Sequence, residues 1–424
     1  MTDEPTGARG KAQSGAAGTS APRRDASATD TPTAAAPWPL DPAVVFLNHG
    51  SFGSCPQPVL DYQQALRARL ERQPVQFFVR DLEGLLDEAR AALGTFLGAP
   101  ADDLAWVPNA TTGVNAVLRS LPLEPGDELL VTDHEYNACR NALDFVAARA
   151  GAKVVVAPLP FPIAEADEAI DGFLARVTDR TRLALIDHVT SQTGLVLPIA
   201  RIVAALRDRG VETLVDGAHA PGMLPLDLAG LGAAWYTGNC HKWLCAPKGA
   251  GFLYVRPDLQ STVRPVTISH GANATRRDRS RFLLEFDWTG TGDPTAILAV
   301  PEALRFMGRL LPGGWPALRR HNRTLVLQGR DALGAALGLT APCPDDMIGS
   351  LSSLPLPAGD GAPPGSALYT DPLQDRLLED YAIEVPIVPW PAPPQRLLRI
   401  SAQIYNRPED YRRLADALQD LFDL

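Results

Sequence analysis

The sequence has no run approaching the ~20 consecutive apolar residues that a membrane-spanning helix needs, and its N-terminus lacks the apolar core of a secretory signal. No hydrophobic stretch follows Arg23-Arg24, so no twin-arginine signal is read there. Cysteine is scarce. Five residues, at 55, 139, 240, 245 and 343, form no Cys-x-x-Cys pair and no Cys/His cluster at zinc spacing, which leaves neither a disulfide framework nor a metal site to expect. A reduced, cytoplasmic protein is the simplest reading. Excess positive charge is missing too: a formal net charge of −10 and a pI near 5.2 argue against nucleic acid or an anionic membrane as partner. Residues 1–40 are Ala, Thr, Ser, Pro, Gly and Asp with almost no large apolar side chains, so they read as a disordered tail.

What remains is an ordinary globular composition, 46% hydrophobic over 424 residues, enough for two or three domains. Helical spacing of apolar residues runs from Leu60 to Leu70 and over Leu82–Leu97. Short apolar runs then alternate with helical ones. Residues 105–107, Glu128–Thr132, Lys153–Ala157, Leu183–Asp187, Thr213–Asp216 and Phe252–Val255 read as strands, and Ile199–Arg209 as one of the helices between them. Such alternation predicts an α/β fold with a mostly parallel central sheet. We expect an N-terminal segment at 41–75 packed on a small α+β domain at 301–424, and a large domain at 76–300.

Two stretches carry chemistry. Lys242 lies between His241 and Trp243, ahead of a Pro-Lys-Gly turn and a strand-like run, a poor place for a solvated charge. A desolvated lysine amine loses its proton more readily and condenses with carbonyls, pyridoxal phosphate above all. Asp216 ends a strand and is followed by Gly217. A carboxylate at the C-terminal end of a strand faces the ligand crevice of an open α/β sheet, where it can hold a pyridine nitrogen protonated. Alone it equally suits a cap on the following turn. The two residues are 26 positions apart, each behind a strand, and together they make a specific pair. Upstream, the loop Asn109-Ala-Thr-Thr-Gly113 opens a helix, so amides and hydroxyls at Ala110, Thr111 and Thr112 suit a phosphate; capping of the helix by one of the threonines is the alternative.

Asp216-Gly-Ala-His219 with Asn239-Cys-His-Lys242 resembles the class V aminotransferase family of pyridoxal enzymes, and most closely its isopenicillin N epimerase-like branch. Phe46-Leu-Asn-His-Gly-Ser-Phe-Gly53, Phe77-Phe-Val-Arg80, His188-Val-Thr-Ser-Gln-Thr-Gly194 and Leu398-Arg-Ile-Ser401 with Tyr405-Asn406 extend the likeness. It runs from about residue 41 to the C-terminus and is vague between about 305 and 380. The resemblance implies pyridoxal-phosphate fold type I, like aspartate aminotransferase, and a homodimer with shared sites. It implies that His219 and Ser191, with Gln192 nearby, approach the ring hydroxyl or the lysine–cofactor linkage; a satisfied buried histidine is the alternative for His219. Tyr136 would stack on the ring, with His134 the competing candidate. Asn239 and His241 would join the phosphate site, to which Thr291 would contribute from the second subunit; as plain sequence, Thr289 and Thr291 read equally as loop residues. Arg399 would bind the substrate α-carboxylate, and His49 would approach the substrate; the alternatives are a surface salt bridge and a simple turn.

No cysteine lies on the loop shortly before Arg399, so persulfide-forming desulfuration is not expected. The expected reaction is proton abstraction at Cα of an amino acid with reprotonation, as in an epimerase. Three alternatives stand beside it: a β-eliminating carbon–sulfur lyase, an aminotransferase, and a cofactor-binding scaffold without catalysis. Epimerisation needs proton delivery to both faces of Cα. Lys242 serves one, and the sequence names no acid for the other.

Overall fold

The computed structural model describes residues 37–361, 368 and 371–423. Most of the tail expected over 1–40 lies outside them. Its last residues do not behave as tail: Trp38 is buried, with its ring 5.0 Å from that of Tyr405. Its indole is the large apolar group that the rest of that stretch lacks.

The strands are β1 (Val45–Phe46), β2 (Leu104–Val107), β3 (Glu128–Thr132), β4 (Lys153–Ala157), β5 (Thr181–Asp187), β6 (Glu212–Asp216), β7 (Trp235–Asn239), β8 (Gly251–Val255), β9 (Leu351–Leu356), β10 (Ile383–Glu384), β11 (Ile387–Pro389) and β12 (Arg396–Ser401). Seven of them form the central sheet in the order β2-β8-β7-β6-β5-β3-β4, parallel except for β8, which runs against both neighbours. Alternate residues divide between its two faces. Leu130, Ala184, Ile186, Val215, Tyr236 and Phe252 enter one core, while Leu129, Val131, Leu183, Leu185, Leu214 and Leu253 enter the other. A sheet apolar on both faces must be covered on both. The helix Ile199–Arg207 covers the first face with Ile199, Ile202, Val203 and Leu206, at the 3–4 spacing that makes one buried stripe. The helices Ala110–Ser120 and Asn137–Ala150 cover the second.

From β3 the chain goes outward to β4 and returns to β5 on the other side of β3. The strand order therefore reverses there, and a crevice opens beyond the C-terminal ends of the strands. Asp187, Asp216 and Asn239, the last residues of β5, β6 and β7, all reach it.

A second, antiparallel sheet of order β11-β12-β9 is backed by the helices Gly314–Leu337 and Pro408–Phe422. Its central strand sets Arg399 opposite Ser353. The N-terminal segment is divided between the two layers: β1 pairs with β10, whereas the helix Gln57–Arg72 packs on Thr295–Leu298 and Val300–Met307.

Between those parts, the short helix His49–Phe52 and the Gly53 that ends it press on the backbone ahead of β8. Gly53 has φ +67°, and a Cβ there would stand 2.0 Å from the His241 carbonyl oxygen. Gly53→Ala is therefore expected to cost about 1–3 kcal/mol, from left-handed strain and forced separation of the two loops. Chemical denaturation checks this: the midpoint should fall at constant m, and an unchanged midpoint would mean that the contact is slack.

Candidate active site

The crevice narrows to a cavity of about 240 Å³ between the strand ends and the loops at 51–52, 109–111 and 241–242. Lys242 enters it from the turn after β7. Its Nζ is 2.9 Å from His219 Nε2, and the other ring nitrogen of His219 takes a 3.4 Å hydrogen bond from the Trp243 indole. Burial, reinforced by the Arg399 charge and opposed by Asp216 and Asp187, lowers the lysine from its ordinary 10.5 to about 8. Burial also pushes His219 well down, as do the Lys242 and Arg399 charges, so it is neutral beside the amine.

Asp216 forms the floor. Its Oδ1 accepts from the Ala218 N–H at 2.9 Å and its Oδ2 from the Cys139 thiol at 3.2 Å. Burial raises its pKa against those hydrogen bonds. Directly across the parallel β5–β6 register lies Asp187, 3% exposed, with Oδ2 buried and unpartnered; burial first, then the Asp216 charge, hold it well above the carboxylate range. Beneath them Glu135 is buried with both carboxyl oxygens unpartnered. Only Asp216 was singled out from sequence. Asp187 ends an apolar strand in the same way, a signal that was there to read; Cys139 and Glu135 gave none.

At the other end of the cavity the helix Ala110–Ser120 begins. Its cap is neither threonine but Asn109, whose Oδ1 accepts from both the N–H and the hydroxyl of Thr112. Thr112 is thereby turned into its own helix and is not among the residues lining the cavity, unlike Thr111 beside it. The Ala110 N–H is held by Asn239 Oδ1 at 2.9 Å. Among the described residues, none partners the Thr111 N–H or hydroxyl, and both belong to a residue lining the cavity at a helix N-terminus. His241 lines the same end, its Nδ1 buried without a partner and its pKa pushed by burial to about 4.

Tyr136 and Ser191 also line the cavity. His134 does not: its nitrogens bond the Thr193 hydroxyl and the Leu159 carbonyl, and its ring lies 4.1 Å from Trp390. Arg399, 5% exposed, stands behind Ser51 and Ser191, donating to the Ser51 hydroxyl at 2.8 Å and the Ser191 carbonyl at 2.6 Å. Its Nε is buried and unpartnered, and among the described residues no carboxylate pairs with it. Burial lowers its pKa to about 10, so it is still a cation at neutral pH. Thr291 is exposed and outside this cavity.

His49 is fully buried and is not among the residues lining the cavity; its Nδ1 is 2.8 Å from the Tyr405 hydroxyl and its Nε2 3.1 Å from the backbone carbonyl of Lys242. Burial drives its pKa to about 3. The neutral imidazole anchors the lysine's main chain, and Ser51, two residues on, takes the cavity wall instead.

Residues 54–347 match the family model for class-V aminotransferases. The chain belongs to that family. The chain is 38% identical over 396 residues to an isopenicillin N epimerase of Amycolatopsis lactamdurans, a match covering 90% of this chain and 96% of that one. It is 33% identical over 402 residues to a probable chloroplastic L-cysteine desulfhydrase of Arabidopsis thaliana, covering 90% and 83%. Among solved structures, a cysteine desulfurase of Escherichia coli matches with TM-score 0.72 at 22% identity over 92% of this chain and 97% of that one; the cystine C–S lyase C-DES does so with TM-score 0.72 at 24% identity over 89% and 97%. Those two likenesses show the fold, that of pyridoxal-phosphate fold type I. Pyridoxal phosphate is the cofactor of the family, and the cavity fits it: a deprotonatable amine, a strand-end carboxyl, and an unpartnered amide, hydroxyl and imidazole nitrogen at the opposite end.

The lowered Lys242 value fixes a pH window. The amine is neutral above about 8, so cofactor uptake by the apoprotein should rise between pH 7 and 8.5 and then level. Because the folded value lies below the unfolded one, the unfolded chain binds more protons between them, and apoprotein stability should gain with pH from about 8 to 10.5. Stopped-flow absorbance measures the uptake; a rate still climbing tenfold per unit beyond pH 9 would contradict the shift.

Proposed function

We propose that the chain is an amino-acid epimerase of the isopenicillin N epimerase kind, moving a proton at Cα of a substrate bound through its α-carboxylate. The observation carrying this is a partly deprotonated amine inside the cavity with a buried, carboxylate-free guanidinium directly behind its Ser51 and Ser191 wall. When bound, pyridoxal phosphate supplies a ring that accepts the electron pair left at Cα. The residues do the rest. Lys242 Nζ takes and returns the Cα proton, and neutral His219 orients it through the 2.9 Å contact. Asp216 would hold the ring nitrogen protonated, a positive charge that would favour its carboxylate form, and Thr111, Asn239 and His241 would hold the phosphate; Ala110 and Ser191 line the wall. Arg399 captures the α-carboxylate, exchanging its present bond to Ser51 for a charge-assisted pair. We further propose a homodimer in which Thr291 reaches the partner's phosphate site.

A carbon–sulfur lyase is the second reading, favoured by the 33% identity to the desulfhydrase of Arabidopsis. Persulfide chemistry fits poorly: all five cysteines are buried, and burial raises their pKa values. No helix among the described residues is long and apolar enough to cross a membrane.

Incubation with candidate amino acids in heavy water separates the readings. Epimerisation gives Cα-deuterated product with an inverted centre; release of pyruvate and a thiol without inversion would favour the lyase. Arg399→Gln should lower kcat/KM by about 10²-fold or more, because the substrate carboxylate then enters a buried site without its cation. A loss below tenfold would remove Arg399 from that role.

A further inference from the structure

Inversion at Cα requires a proton donor on the face opposite the lysine, and the cavity contains a side chain that answers to this. We propose that the Tyr136 hydroxyl is the second-face acid, delivering a proton to Cα on the side away from Lys242. The inference rests on the epimerase reading and names the group which that reading leaves open.

Lys242 follows β7 and Tyr136 follows β3, and in the sheet β6 and β5 lie between those two strands. The carboxyls ending β6 and β5, Asp216 and Asp187, therefore form a floor, with the amine rising on one side and the phenol on the other. The other titratable side chains of the wall are placed otherwise. His219 is bonded to the lysine itself, His241 is its chain neighbour, and the two aspartates are the floor. Tyr136 lines the cavity and is 40% exposed, so its hydroxyl is open to solvent, and among the described residues nothing bonds that hydroxyl. Burial raises its pKa, followed by the charges of Cys139 and Asp216 and against that of Arg399, so the phenol holds its proton at neutral pH.

The proton count closes. Neutral Lys242 removes the Cα proton from one face and becomes an ammonium; Tyr136 O–H transfers its proton to Cα on the other and becomes a phenolate. One proton then passes from the ammonium to the phenolate through solvent in the open cavity, and both groups return to their starting states. Reaction of the opposite enantiomer runs the same steps backwards.

The test is Tyr136→Phe on the holoenzyme, with Tyr136→Ala beside it. Phe keeps the ring and loses only the hydroxyl, so the cofactor dissociation constant, read by absorbance titration, should stay within about threefold, whereas Ala should weaken it. In heavy water, the ratio of inverted to retained Cα-deuterated product should fall in Tyr136→Phe by about 10²-fold or more, the scale of one general acid. An unchanged ratio would overturn the assignment while leaving the epimerase reading intact. Failure of the wild-type enzyme to invert any amino acid would overturn both.

Discussion

Enclosing a lysine amine in protein at the mouth of a cavity is the constraint that organises this molecule. An ammonium so closely surrounded loses part of its hydration, and the lowered value of about 8 for Lys242 expresses that cost. The surroundings are arranged so that neither protonation state is badly served. Neutral His219, its Nδ1 taken by the Trp243 indole, offers Nε2–H to the free amine, while Asp216 and Asp187 partly offset the repulsion of the ammonium by Arg399. A group poised in this way can take a proton and give it back.

Holding it there draws on distant parts of the chain. The lysine's carbonyl is bonded by His49, His49 by Tyr405, and the loop carrying His49 is close-packed against residue 241 through Gly53. Residues near 50, 242 and 405 thus form one connected body behind the cavity. Its apolar support is the aromatic group of Trp38, Trp243 and Tyr405 around the imidazole. The same segment supplies Ser51 to Arg399, so the cation that would meet a substrate and the amine that would act on it are tied to one loop.

The sequence was most legible where one residue's role follows from its place on a strand. Asp216 at the end of β6 and the lysine turn after β7 could be read from apolar runs that stop at a polar residue, and the alternation of runs announced the parallel sheet. Legibility failed where a role depends on which way a side chain turns. His49 sits two residues from the cavity wall in a loop whose composition says only that it bends; its direction is decided by Tyr405, more than 350 positions away. Thr112 carries a hydroxyl at a helix start and differs from Thr111 only in being captured by Asn109. Asp187 could have been found by the reasoning applied to Asp216, but it had no neighbouring motif to draw attention to it.

The central claim is that one particular amine, among the four lysines at positions 11, 153, 242 and 248, carries the cofactor. Reduction of the cofactor-loaded protein with borohydride, followed by proteolysis and peptide mass mapping, tests it directly. The account predicts a single phosphopyridoxyl mass increment, on the peptide containing Lys242, and its loss in Lys242→Ala. An increment on another lysine, or none under saturating cofactor, would contradict it.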